Sequence, residues 1–381
     1  MLRDDIILED TTLRDGEQSP GVAFSKATKL KIHDWLIEAG VRWIEVGIPI
    51  MGGEELETMK ALLDRGSPAK LVAWNRGAKD DIKLSLDIGF KAVHIGLPTS
   101  KLHLKASINK DRAWLLAQAA DLIKYAKDRD AFVSISAEDV GRTEIPFLQE
   151  YAVCVEEAGA DRLRVSDTIG MLTPEGYGER IRSIAESSAI DLQCHAHNDF
   201  GLGVANTLSG LQNGARYFHV TINGIGERAG MADLAQMVLA LKLLYGCDVG
   251  IDTTRLKALS NLVAEATHCT PPPWQPIVGD NVFAHESGIH VNGMLRNERS
   301  FEPILPEEVG GVRRYVLGKH SGRVNVRQVL VAEGVEPEEE HVQRCLDLVR
   351  NQAISQSGPV STEQLKRIYQ RVLTENGDAA R

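Results

Sequence analysis

Three segments of this chain carry side chains whose types and spacing could do chemistry: Asp10–Gln18 (DTTLRDGEQ), His195–Asp199 (HAHND) and Asn223–Gly230 (NGIGERAG). His195 and His197 flank a single residue, so on an extended strand both imidazoles point to the same face. A pair so placed can hold one divalent metal. With Asp15 added, two histidines and one carboxylate leave coordination positions open for a substrate. The plainer alternative is an ordinary pair of core or surface histidines, and the same triad also suits a non-haem iron oxygenase. Arg14 can grip a carboxylate or stabilise an oxyanion, or it can close a salt bridge across the mouth of a barrel. Glu45, in the otherwise apolar Trp43–Gly47 run, is either paired with a cation or a base with a raised pKa. Glu138, which follows Ser134 and Ser136, is similar. The glycines of 223–230 lack dinucleotide-binding spacing; they predict a close-approach loop whose backbone N–H groups could touch phosphate.

These residues need strands to present them. Short apolar, β-branched runs recur at Ile6–Leu8, Trp43–Val46, Leu71–Trp74, Val93–Leu97, Phe132–Ile135, Leu163–Val165, Leu192–Cys194 and Tyr217–Ile222. Helical patterns lie between them, as at Lys26–Ala39 and Asp111–Lys127. Gly40, Gly89, Gly159 and Gly214 are placed to stop helices, and Pro146 and Pro174 sit where helices start. Strands alternating with helices imply a parallel sheet with right-handed crossovers. Eight such units predict an α/β fold, a (β/α)8 TIM barrel with a smaller, mostly helical C-terminal region; an open doubly wound sheet is the competitor. In a barrel, reactive residues gather at the C-terminal ends of strands, which is where the three segments fall.

After Leu244 the alternation breaks, and Pro271-Pro272-Pro273 predicts a boundary near 250–275. The expected division is a catalytic barrel over 1–255, a linker subdomain over 256–315 and a helical subdomain over 316–381. Helices are expected at Val324–Glu333, Glu338–Gln356 and Thr362–Glu375, with Glu338–Glu340 as a solvated helix start and 379–381 frayed.

The chain has 381 residues, 43% of them hydrophobic and 25% charged, enough for a full core. Its 43 basic and 53 acidic side chains give a net charge of −10, which argues against a nucleic-acid footprint. Charges at Arg3, Asp4 and Asp5 stand where a signal peptide would be apolar, and no run approaches the roughly 20 apolar residues of a membrane span. A cytoplasmic protein with no membrane partner is expected. Cys154, Cys194, Cys247, Cys269 and Cys345 form no CxxC pair and read as buried free thiols.

At its motifs the sequence resembles the acyl-CoA Claisen-condensing family of homocitrate, 2-isopropylmalate and citramalate synthases. The resemblance rests on Asp10–Gln18, His195–Phe200 with Gly201-Leu202-Gly203, Asn223–Gly230, Ser287–Asn292 (SGIHVN) and Leu317–Arg323 (LGKHSGR), in order along most of the chain. It implies a metal-dependent barrel in a domain-swapped homodimer, with acetyl-CoA and a 2-oxo acid as substrates. Asp15, His195 and His197 then correspond to the metal ligands, for Zn, Mn, Mg or Fe. Arg14 would stabilise the developing alkoxide. Glu45, with His290 and Tyr315 from the partner chain, resembles the acid/base group, while Gln18, His94, Ser136, Glu138 and Thr168 fall where the keto-acid pocket is lined.

The absence of a leucine-sensing domain by residue 381, and Met231 where isopropylmalate synthases carry Asn, make the chain most similar to homocitrate synthases of nitrogenase cofactor assembly. That resemblance implies 2-oxoglutarate as acceptor; 2-oxoisovalerate or pyruvate is the in-family alternative, and a metal-dependent retro-aldol lyase the alternative outside it. One departure stands out. Lysine-pathway homocitrate synthases hold the distal carboxylate with an arginine on strand five, where this chain has Ser134. His94 and Arg76 are the candidate replacements.

Overall fold

The computed structural model describes residues 2–379, with side chains as far as Glu375. The expected fraying at 379–381 therefore bears on residues of which Ala380 and Arg381 lie outside the described ones. The chain divides into two compact units, Met1–Pro271 and Pro272–Arg381.

The first unit is a closed barrel of eight parallel strands in sequence order, β1 (Ile7–Asp10), β2 (Trp43–Gly47), β3 (Lys70–Arg76), β4 (Ala92–Gly96), β5 (Phe132–Glu138), β6 (Arg162–Asp167), β7 (Asp191–Ala196) and β8 (Tyr217–Val220). Closure is the β1–β8 pairing, with Ile7 opposite Tyr217 and Asp10 opposite Val220. Helices cross over between strands as the pattern predicts. Lys26–Glu38 starts at Ser25, whose hydroxyl accepts from the Thr28 N–H, and Arg112–Lys127 starts at Asp111, which caps Trp114. Gly40 follows the first of these with φ +102°, a conformation that favours glycine.

Strand alternation sorts the barrel residues into two sets. Leu163, Val165, Leu192, Cys194, Phe218 and Val220 form the apolar set and pack beneath the helices. Glu9, Glu45, His94, Arg162, Arg164, Gln193 and His219 form the inward set, and all are buried. A barrel core is ordinarily filled with branched apolar side chains; this one is filled with charges that pair across the axis. Arg162 Nη1 donates to Glu9 Oε2 at 2.6 Å and its Nε donates to Ser134 Oγ at 3.1 Å. Below, the guanidinium lies over the rings of Tyr217, Trp43 and Phe132 at 4.7, 5.3 and 5.5 Å.

The helix Leu256–Thr267 belongs to the barrel unit rather than to a linker opening at 256: its apolar face, Leu259, Leu262 and Val263, is buried, and the helix packs on Lys26–Glu38. The second unit begins with loops and a two-stranded parallel pair, β9 (Ala284–His285) and β10 (Arg314–Tyr315). It continues through Arg323–Ala332, Glu339–Ser355 and Thr362–Ala379, whose apolar faces share one core around Val326, Leu346, Val349 and Leu365. Glu338–Glu340 are exposed, the solvated start expected. The thiol expectation needs correction: Cys194 and Cys345 are buried and free, but Cys269, in the proline-rich junction, is exposed, and Cys154 and Cys247 are partly so. Among the described residues no helix is long and apolar enough to cross a membrane.

Two outcomes follow from the charged interior. Arg162→Leu strands Glu9 inside the barrel, and loss of one partner of a buried pair costs about 3–5 kcal/mol; the urea midpoint should fall accordingly, and a change below about 1 kcal/mol would contradict the pairing. Burial by itself would raise the Glu9 pKa, but Arg162, His219 and Arg164 override it and hold the carboxyl down to about 2. A depressed carboxylate stabilises the fold above its unfolded pKa and loses that contribution as pH falls through the folded one. The stability gap between wild type and Glu9→Gln should thus shrink, by on the order of 3 kcal/mol, between about pH 4.5 and pH 2 in pH-dependent melts.

Candidate active site

The chain leaves β1 in a tight turn that its own side chains hold. Asp10 accepts from the Thr12 N–H and hydroxyl, both at 2.9 Å, and Thr12 Oγ1 accepts from the Ile222 N–H at 2.9 Å, tying the turn to the end of β8. The Arg14 and Gly16 N–H groups return to the Thr11 carbonyl at 3.1 Å. This turn carries Arg14 and Asp15 over the barrel mouth. His195 is the last residue but one of β7, and His197 directly follows the strand. The Asp15 Oδ2 to His195 Nε2 distance is 3.4 Å, and the two Nε2 atoms of His195 and His197 stand 3.3 Å apart. Ligand atoms of Asp15, His195 and His197 all lie within 4.8 Å of one another, and all three residues are buried.

The donor set fits a divalent cation. Burial holds both imidazoles below their ordinary pKa, so they are neutral, the ligating form. Asp15 Oδ1 and His197 Nδ1 are buried with no hydrogen-bond partner among the described residues. Two imidazole lone pairs facing each other beside a carboxylate repel unless a cation or proton lies between them. A second convergent group, Glu9, Glu45 and His219, lies deeper in the barrel. Its carboxylates already bind guanidinium groups, so its charge is met by the protein itself.

Arg14 is fixed at several points. Its Nε donates to Glu45 Oε1 at 2.5 Å and its Nη1 to Gln18 Oε1 at 3.1 Å, with Asp15 Oδ2 3.0 Å away. Arg164 Nη2 donates to the other Glu45 oxygen at 2.5 Å, and Thr11 Oγ1 donates to Glu45 Oε1 at 3.1 Å. Burial favours the neutral acid at Glu45, but Arg14 and Arg164 hold it well below the usual carboxylate range. Of the two readings open for Glu45, paired anion or base with raised pKa, the structure gives the first. Glu138 is the opposite case: burial raises it, and the hydrogen bond from Ser136 Oγ at 3.2 Å and the Arg14 and Arg164 charges oppose that without overcoming it.

One cavity of about 200 Å³ collects Arg14, Asp15, Gln18, His94, Ser136, Glu138, Thr168, His195 and His197. Glu45 sits beneath it, joined through Arg14 and Arg164. His290 and Tyr315 belong to the second unit, where His290 is exposed and stacks on Phe301 with ring centroids 4.2 Å apart, and Tyr315 is partly exposed. Arg76 does not line this cavity: Asp81 binds it bidentately at 2.7 and 3.0 Å, and it lies on a neighbouring, more open one that shares Trp74 and Glu138. His94 does line the cavity. Its Nδ1 pairs with Ser134 Oγ at 2.9 Å, its Nε2 has no partner among the described residues, and burial keeps it neutral. The cavity also has Trp74, Arg164 and Ser166, which the motif reading passed over, and Glu227 and Arg228 of the NGIGERAG segment, to which it gave no individual role. Arg164 had a signal: in Arg162-Leu163-Arg164-Val165-Ser166 the polar residues repeat with the strand period.

The 223–230 loop packs against the segment that carries His197, and its Glu227 and Arg228 line the cavity. Met231 bridges His197, and the Asn198 N–H donates to the Gly230 carbonyl at 2.8 Å. Gly230 has φ +75°, and a Cβ there would meet the Gly224 oxygen at 1.8 Å, so the loop closes only without a side chain. In the second unit, the SGIHVN and LGKHSGR segments pack on each other: a Cβ on Gly288 would lie 2.7 Å from Gly322 Cα, and the His320 N–H donates to Glu286 at 2.9 Å.

Comparison with known proteins agrees with this division. Residues 5–263 match the HMGL-like family model, and residues 277–357 match the homocitrate synthase post-HMGL domain-like model. A 2-phosphonomethylmalate synthase of Streptomyces rubellomurinus is 65% identical over 97% of this chain and 99% of its own. Homocitrate synthase 1 of a Nostoc species is 43% identical over 94% and 96%. 2-Isopropylmalate synthase 2 of Caldanaerobacter subterraneus is 43% identical over 97% and 96%. The HMG-CoA lyase structure from Brucella melitensis, at 18% identity and a TM-score of 0.62, covers 70% of this chain and all of its own, a likeness of fold. With its barrel, its second unit and full-length relatives among these synthases, the chain belongs to the HMGL-like family.

Proposed function

We propose that the protein condenses acetyl-CoA with a short 2-oxo acid that bears a second anionic group and that water then cleaves the thioester, releasing CoA and a 2-hydroxy acid with two carboxylates and that second anion. The observation that carries the reaction class is the convergence of Asp15, His195 and His197 beside Arg14 in one small cavity. Those three residues would hold a divalent ion, Zn, Mn, Mg or Fe, which polarises a 2-oxo group as a Lewis acid when bound. Arg14 is held by Glu45 so that its remaining N–H capacity faces the oxygen on which negative charge develops. Glu45 acts as the fixed anion that aims Arg14. Glu138, with its raised pKa, is the cavity carboxyl suited to hold a proton, and His290 and Tyr315 of a partner chain are the proposed acid/base pair of a domain-swapped homodimer.

For the acceptor, the 65% identical relative outweighs the motif-level expectation. Breaking the bond between the hydroxylated carbon and the unsubstituted CH2 of 2-phosphonomethylmalate returns an acetyl unit and 3-phosphonopyruvate. Phosphonopyruvate is the proposed acceptor, its phosphonate met by His94 Nε2 and the serine and threonine hydroxyls at the cavity edge. 2-Oxoglutarate, which would give homocitrate for nitrogenase cofactor assembly, is the second reading. It is favoured by the 43% identical homocitrate synthase and keeps the same machinery.

Thiol release from acetyl-CoA, followed with phosphonopyruvate, 2-oxoglutarate, 2-oxoisovalerate and pyruvate, should be fastest with phosphonopyruvate and cease with a chelator. A preference for 2-oxoglutarate moves the assignment to homocitrate, and one for 2-oxoisovalerate rejects both. His195→Ala and Glu45→Gln should each lower kcat by about 10²-fold or more while the melting profile keeps a single folded barrel transition. Near-normal turnover in either would remove that residue from its role.

A further inference from the structure

His195 has two ring nitrogens, and the structure gives each a different neighbour. Nε2 faces Asp15 and His197. Nδ1 lies 2.8 Å from Nδ1 of His219, the residue beside it on β8, in a pair of rings whose centroids are 5.1 Å apart. His219 Nε2 in turn lies 2.9 Å from Glu9 Oε1, and Glu9 Oε2 accepts from Arg162 Nη1 at 2.6 Å. Every member of this row is buried.

A hydrogen bond between two Nδ1 atoms needs one proton, so one ring donates and the other accepts. Glu9, ionised against Arg162, can only accept. It therefore takes the Nε2–H of His219, which leaves His219 Nδ1 as a lone pair, which in turn requires His195 to donate from Nδ1. The lone pair of His195 is then on Nε2, aimed at Asp15 and His197. Reversing the row would set a lone pair of His219 against the Glu9 carboxylate, two acceptors in contact at a buried position. Arg164 Nη2 approaches His219 Nε2 at 3.3 Å but has its shorter bond, 2.5 Å, to Glu45. The direction of the row is thus set at its Glu9 end.

We propose that Glu9, acting through His219, is a positioning residue that fixes the tautomer of His195 and keeps its Nε2 lone pair turned to the metal position. The proposal rests on the reading of Asp15, His195 and His197 as a metal triad. It adds a function for the deeper Glu9–His219 pair, which touches no substrate. An anion behind a ligating histidine also raises the basicity of the ligand, and loss of such a partner lowers metal affinity by about 10–100-fold.

The test is a Co2+ titration of the full chain, read by visible absorption, on wild type and Glu9→Gln, with 15N-imidazole NMR of metal-free wild type. Co2+ affinity should fall about 10–100-fold in Glu9→Gln, and NMR should find His195 protonated at Nδ1 and His219 at Nε2. A merely structural Glu9 would lower the melting temperature and leave the Co2+ affinity within twofold, which overturns the proposal. So does an Nε2–H tautomer at His195 in the wild type, a readout that stands even if Glu9→Gln does not fold. No Co2+ binding by wild type would bring down the metal triad itself, and this inference with it.

Discussion

Glu45 lies between two guanidinium groups, and the upper half of the barrel is arranged around that placement. Arg164 reaches it from β6 and Arg14 from the turn after β1, each at 2.5 Å. A lone arginine over the mouth could swing between acceptors; clasped by Glu45 and Gln18, with Asp15 3.0 Å away, it has one orientation. The site is thus ordered by charges rather than by close-packed hydrocarbon. Such an interior is tolerable only because nearly every member has a partner, since a half-satisfied polar network inside a barrel is worse than an apolar one. Of the atoms left over, Asp15 Oδ1, His197 Nδ1 and His94 Nε2 belong to residues that line the cavity, while Arg162 Nη2 and Gln193 Nε2 lie deeper in the barrel.

How far this was legible depended on the distance along the chain between interacting residues. His195 and His197 announce themselves because one strand displays both, and the barrel was readable because its alternation repeats unit by unit. Glu45 remained two readings because its partners lie 31 and 119 residues away. The Arg162–Glu9 pair spans 153 residues and has no local signature except polar residues recurring with the strand period. Arg76 looked like an available cation, yet its partner Asp81 is only five residues on, at the start of the next helix; here the sequence held the answer and the carboxylate was overlooked. The helix at Leu256–Thr267 went to the wrong side of the boundary because amphipathicity shows that a face is buried, not what buries it.

Specificity within the family is harder to read for a related reason. Phosphonopyruvate and 2-oxoglutarate have the same 2-oxo acid head and differ in the anion at the far end and in one methylene of the chain that leads to it, so residues that act on the head say nothing about which is taken. Under the proposed function the discrimination falls to groups at the cavity wall, the neutral His94, Ser136 and Thr168 among them. A hydroxyl or a neutral imidazole recognises tetrahedral and planar oxyanions alike, and small shifts in where such groups stand decide between them.

Under the charged layers, Arg162 and the rings of Trp43, Phe132 and Tyr217 stopper the N-terminal end of the barrel. Under the proposed function, ions, reactants and products would therefore come and go at the opposite end of the barrel, where the cavity lies, and not along its axis.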